Sequence, residues 1–200
     1  MRKYLFGAIA FLALAIAYQA WPLLGAAQLA SAARSGDARK VLERVELPAL
    51  RTQLTRQIVR AYLEKTGRAP KGAFERNIAI NIGTSIAEPY VAEMLTPENL
   101  ASLLRNGRIA GAAGQSTLLS GEKLPNFSEL LDSGLWTTFA RSHFDGWTSY
   151  LIKVAGDETS EGFGVHLHLV SGTWRLSGID LPKSLVARVV EEVILRDKSS

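Results

Sequence analysis

The stretch Gly164 to Pro182, GVHLHLVSGTWRLSGIDLP, decides the fold. Apolar and polar residues alternate on both sides of Ser171-Gly172, which predicts two antiparallel strands joined by a two-residue loop. Such a loop fixes register, so Leu169 is expected opposite Trp174, and Leu167 opposite Leu176. Those four residues build one apolar face. On the other face His168 is expected opposite Arg175, and His166 opposite Ser177. The H-x-H spacing raises the question of a metal, and its surroundings argue against one. A guanidinium beside the imidazole penalises a divalent cation and a protonated histidine alike. Zinc also wants at least three protein ligands, and the sequence places no third. His166 and His168 read as polar-face strand residues, and no metal site is expected.

Upstream, Asp145-Gly146 lies between TTFARSHF and WTSYLIKV and signals a second two-residue hairpin. That loop pairs Phe139 with Ile152, Arg141 with Tyr150, and His143 with Thr148. If the Phe139/Ile152 side faces inward, then Arg141, His143 and Tyr150 point to the interior. A buried arginine needs a carboxylate or an anionic ligand, so these three are the candidate binding residues. The alternative is a sheet turned the other way, with all three solvated. AGDETSEG connects the hairpins into a four-stranded antiparallel sheet. Pro182 opens a last helix whose Leu185, Val186, Val189, Val190, Val193 and Ile194 form one stripe.

The other half of the chain reads as helices. Gly36 ends one, and Asp37 caps a short one running through Arg44. Pro48 opens a longer helix to Lys65, with Leu47, Leu50, Leu54, Ile58, Ala61 and Tyr62 on one stripe and Arg51, Arg56 and Arg60 off it. Large apolar residues every four positions predict a buried helix over 74–95, with Pro89 kinking its end. In TPENLASLLRNG, Thr96 caps, Pro97 takes the first helical position and Gly107 closes. Residues 108–127 are rich in Gly, Ser and Ala without periodicity, and read as a mobile loop.

The N-terminal segment MRKYLFGAIAFLALAIAYQAWPLL places two cations before a run in which only Gln19 is strongly polar. Tyr4 to Leu24 makes 21 residues. A helix crossing the ~30 Å hydrocarbon layer needs about 20. Trp21 stands where an interfacial aromatic anchors the far end, and Arg2 and Lys3 predict a cytoplasmic N-terminus. Residues 1–24 are thus expected as a transmembrane anchor, 25–36 as a helical stalk, and 37–200 as an extracytoplasmic domain. The competing reading is a cleaved signal peptide and a soluble periplasmic protein. Signal peptides carry a shorter apolar core, and the one good A-x-A, Ala30-Ser31-Ala32, lies far downstream of the run.

The net charge of +4 hides an asymmetry. Arg34 to Arg76 holds 11 Lys/Arg against 5 Asp/Glu, while Asn77 to Ser200 holds 10 against 14. The positive part adjoins the apolar segment, where anionic headgroups or an acidic partner would meet it; solvated helix faces are the plainer account. No nucleic-acid recognition motif accompanies the charge. The absence of cysteine excludes disulfides and thiolate chemistry. Nucleotide loops, H-E-x-x-H and G-x-S-x-G are all missing, so no cofactor and no catalytic residue is assigned.

RSGDARKVLERVELPALRTQL, MLTPENLASLL and FDGWTSYLIKV…GTWRLSGIDLP together resemble three blocks of the bacterial family known as domain of unknown function 2939. The resemblance implies an envelope-associated protein with an N-terminal membrane segment and no assigned activity. The fold class is α+β: an N-terminal transmembrane helix, a helical half, a four-stranded antiparallel sheet and a C-terminal helix. That order is similar to cone folds of the nuclear-transport-factor-2 type, by analogy alone. The expected function is a non-catalytic module in the bacterial inner membrane that binds a lipid, a small apolar ligand or an envelope protein. The alternative is a hydrolase or isomerase with a pocket around His143.

Overall fold

The computed structural model describes residues 2–67, 87–106 apart from 90 and 93, 142–154 and 163–197. The helices are α1 (Arg2–Ser35), α2 (Ala38–Glu43), α3 (Leu47–Lys65), α4 (Pro97–Asn106) and α5 (Lys183–Asp197). The strands are β1 (Ser142–Phe144), β2 (Ser149–Val154), β3 (Phe163–Val170) and β4 (Thr173–Asp180). They form an antiparallel sheet in the order β1-β2-β3-β4. The architecture is the expected α+β one. Most of the 74–95 helix, the 108–127 loop, the 155–162 connection and Arg141 lie outside the described residues.

Local chemistry sets the helix boundaries. Gly36 has φ +68 and stops α1, and a Cβ there would also meet the Arg105 guanidinium. The Asp37 carboxylate accepts from the Arg39 and Lys40 amides and starts α2. Those bonds hold its carboxyl below the usual carboxylate range. Thr96 Oγ1 accepts from the Asn99 amide and caps α4. On α3, Leu50, Leu54, Ile58, Val59 and Leu63 are buried while Arg51, Arg56 and Arg60 are exposed.

The β3–β4 hairpin has the expected register at its tip, with Leu169 opposite Trp174, Leu167 opposite Leu176 and His168 opposite Arg175. Ser171 (φ 50) and Gly172 (φ +76) both adopt the left-handed conformation that a two-residue turn demands. Further from the turn a bulge falls between His166 and Leu167. His166 therefore faces Gly178, not Ser177 as expected.

The β1–β2 register differs from expectation by three residues. Phe144 faces Tyr150, His143 faces Leu151 and Ser142 faces Ile152. Of the two expected turn residues only Gly146 has positive φ (+101), so Asp145 does not make the two-residue turn. Its amide instead donates to the Ser149 carbonyl at 2.9 Å, leaving Gly146-Trp147-Thr148 as the loop. An odd shift exchanges the faces of a strand. Phe144 thereby joins Tyr150 and Trp174 on the inner face, with ring centroids 4.8 and 6.0 Å from its own.

The free edge of β4 is covered in two ways. Residues 44–46 run parallel to it: Leu176 donates to the Arg44 carbonyl, and Glu46 to the Leu176 carbonyl. Beyond them the side-chain amides of Gln53 and Gln57, one turn apart on α3, take over. Gln53 Oε1 accepts from the Ile179 amide, while Gln57 donates to the Ile179 carbonyl and accepts from the Leu181 amide. An edge that would invite another strand is thus closed from within.

The core fills the space between this sheet and the helices. Tyr150, Ile152, Val165, Leu167, Trp174 and Leu176 contribute from the strands, and Leu29, Val41, Leu100 and Leu104 from the helices. Residues 25–36, expected as a stalk, are packed: Ala26, Leu29, Ala30, Ala32 and Ala33 are all buried. Gly25 lies so close to Trp174 that a Cβ would come within 2.5 Å of the Trp174 Cβ.

Candidate functional site

Of the three sequence candidates, His143 and Tyr150 are described, and they do not share a pocket. Tyr150 is buried in the aromatic cluster, and burial raises its phenol above the ordinary value despite a hydrogen bond with Ser142. His143 projects from the opposite face and is exposed. Arg141 lies outside the described residues.

His166 and His168, on the polar face as expected, each meet a carboxylate. His166 Nε2 donates to Asp180 Oδ2 at 2.8 Å, and His168 Nδ1 donates to Glu46 Oε2 at 3.0 Å. Neither carboxylate has a partner that strand pairing alone would name. Asp180 faces Gly164, whose missing side chain leaves the room its carboxylate occupies. Gln53 Nε2 donates to the other Asp180 oxygen at 3.0 Å. The hydrogen bond from His166 holds Asp180 below its ordinary value, assisted by Gln53 and Lys153 against the cost of burial. The signal for the Asp180 pair was two glycines, Gly164 and Gly178, in an otherwise regular hairpin. Among the described residues no three metal-capable side chains converge.

A groove of about 560 Å³ lies between α3 and α5. Leu181, Val186 and Val190 give it an apolar floor, while Arg60, Lys65 and Lys183 supply cationic heads and Glu64 an anionic one. Lys65 also bridges to Glu191 across the two helices. Among the described residues this groove is concave, whereas the space under the sheet is filled by core side chains. Sequence periodicity marked both helices but held no sign that they lie side by side.

Helix α1 has two characters. Phe6, Phe11, Leu12, Leu14, Ile16 and Leu24 are all exposed, and so is Trp21. From Gly25 onward one face of the same helix is core, with Ala27, Gln28 and Ser31 on its exposed side. Tyr18 marks the changeover: its ring stacks on Phe144 at 4.8 Å, and its hydroxyl donates to the Trp147 carbonyl at 2.6 Å. Phe11–Ser35 is apolar and long enough to cross a membrane by length and composition, as a signal sequence would also be.

The fold and this helix define a small α+β domain built onto an apolar N-terminal helix. Residues 11–103 match the model of the family described as protein of unknown function (DUF2939). That is the family the quoted blocks resemble; the match covers the first two blocks, apart from Leu104, and ends ahead of the third. It begins inside the apolar run, so Phe11 to Leu24 fall within the matched region. No curated protein and no solved structure matches the chain, which leaves the cone analogy without a structural neighbour.

Proposed function

We propose that this is a single-pass membrane protein, with α1 as an uncleaved anchor and the α+β domain as an extracytoplasmic binding module. The observation that carries the reading is the split in α1. Large apolar side chains stay exposed as far as Leu24, yet the helix continues without interruption into the core. Cleavage after Ala32 would take Ala26, Leu29 and Ala30 out of that core, which no signal peptide is built to do. The cations Arg2 and Lys3 favour a cytoplasmic N-terminus, and in a bacterial cell the domain then lies in the periplasm.

The binding site in this reading is the α3–α5 groove. An apolar floor beneath Arg60 and Lys183, with Lys65 already bridged to Glu191, suits an anionic amphiphile, such as a fatty acid or an acidic lipid. The hydrolase or isomerase alternative has no His143–Tyr150 pair to build on, because the two side chains occupy opposite faces of the sheet. Native mass spectrometry of the full chain released from its own membranes tests the proposal. An acidic lipid retained by the wild type and lost from an Arg60→Glu, Lys183→Glu variant is expected. Equal retention by both would exclude the groove as the binding site.

A further inference from the structure

Helix α1 is too short, ahead of its first contact with the sheet, to hold the domain clear of a bilayer. Among the described side chains the first packed one is Tyr18, and Tyr4 lies fourteen residues before it. At 1.5 Å per residue that separation is about 21 Å. The hydrocarbon layer is ~30 Å thick. With Arg2 and Lys3 among the cytoplasmic headgroups, Tyr18 sits roughly 9 Å inside the far boundary of that layer. Tilting the helix draws it deeper. The exposed apolar surface agrees, since it runs on past Tyr18 to Trp21 and Leu24.

Whatever is fastened to Tyr18 is drawn to the outer boundary of that layer. The β1–β2 loop is so fastened, by the stack on Phe144 and the hydrogen bond to the Trp147 carbonyl. At its tip Trp147 is 87% exposed, with its ring unburied among the described residues. An indole with an apolar body and one N–H donor is the side chain that partitions best at the headgroup level.

We infer that the Gly146-Trp147-Thr148 loop is a second membrane contact, with Trp147 inserted at the outer interface of the bilayer beside Trp21. The occupant of this surface is lipid. The contact fixes the orientation of the domain, so that α1 and the hairpin tip form a two-point attachment. The inference rests on α1 being a membrane anchor.

The test uses the cysteine-free full chain in vesicles of phosphatidylethanolamine with a minority of phosphatidylglycerol. A nitroxide is placed at Thr148→Cys, which leaves Trp147 intact. Reference labels go on Ile9→Cys in the anchor and on Arg51→Cys, exposed on α3 away from the groove. Collisions with oxygen report lipid, and collisions with a water-soluble nickel chelate report solvent. Expected is a Thr148 label with an oxygen preference between those of Ile9 and Arg51, shifting toward Arg51 when Trp147→Asp is added. A Thr148 label as nickel-accessible as Arg51, with Ile9 in lipid, would overturn the loop contact and leave the anchor standing. A label at Thr148 shielded from both reagents would indicate a protein neighbour and also overturn it. An Ile9 label in water would overturn the anchor and the loop contact together.

Discussion

At the residue scale, Gly25 matters for the side chain it lacks. It sits in a helix, where alanine ordinarily adds stability of about 1 kcal/mol. Here a Cβ would strike the Trp174 Cβ, an atom near the backbone that cannot swing away. Gly25→Ala should therefore destabilise, by about 1–3 kcal/mol as overpacking does, and urea unfolding measures it. An unchanged or raised midpoint would contradict the packing of α1 on β4. Asp180 gives a pH signature. Its carboxyl is held below its ordinary value, so the folded state favours the ionised form. The stabilisation is present above that value, near 3.8, and is lost as pH falls through the lower folded one. The urea midpoint of Asp180→Asn should fall short of wild type at neutral pH, with the gap closing in acid. A gap of constant size would show that His166 and Gln53 do not stabilise the charge.

At the element scale, the ends of the helices were legible and the pairing of the strands only partly so. Gly36, Asp37, Thr96 and Pro97 act within one turn of themselves, and such signals survive any tertiary arrangement. Thr96→Ala should cost about 1 kcal/mol, with Thr96→Ser restoring most of it. The β3–β4 turn read correctly because both of its residues take positive φ. The β1–β2 turn did not, because joining Phe144 to Tyr18, Tyr150 and Trp174 requires a longer loop than Asp145-Gly146 suggests. Tyr18 lies more than a hundred residues away in sequence, and its contact leaves no local trace. The same holds for Gln53 and Gln57, whose spacing marks a helix face without showing that the face lies along a sheet edge. Gln57→Leu leaves the Leu181 amide and the Ile179 carbonyl unpaired. A loss of about 1–3 kcal/mol is expected, with faster hydrogen exchange at Leu181. Slow exchange there in the variant would mean that the edge is closed by something else.

At the scale of the whole molecule, the apolar segment was legible at once, by its length and its flanking charges. Its second role was not. Runs of alanine such as those at 26–33 fit an exposed stalk and a close helix contact equally well, and only the partner surface decides. The candidate site fared similarly: the hairpin residues were named from a register that a longer loop displaced, while the α3–α5 groove depends on a helix contact that no periodicity reveals. With α1 serving as anchor and core in one helix, removal of the anchor and loss of the fold are separable only ahead of Tyr18. The intact mass of the protein recovered from alkali-washed membranes decides whether the helix keeps both roles. The full-length mass, found in the membrane fraction, is the expected result. A soluble species beginning just after Ala32 would contradict the dual role of α1.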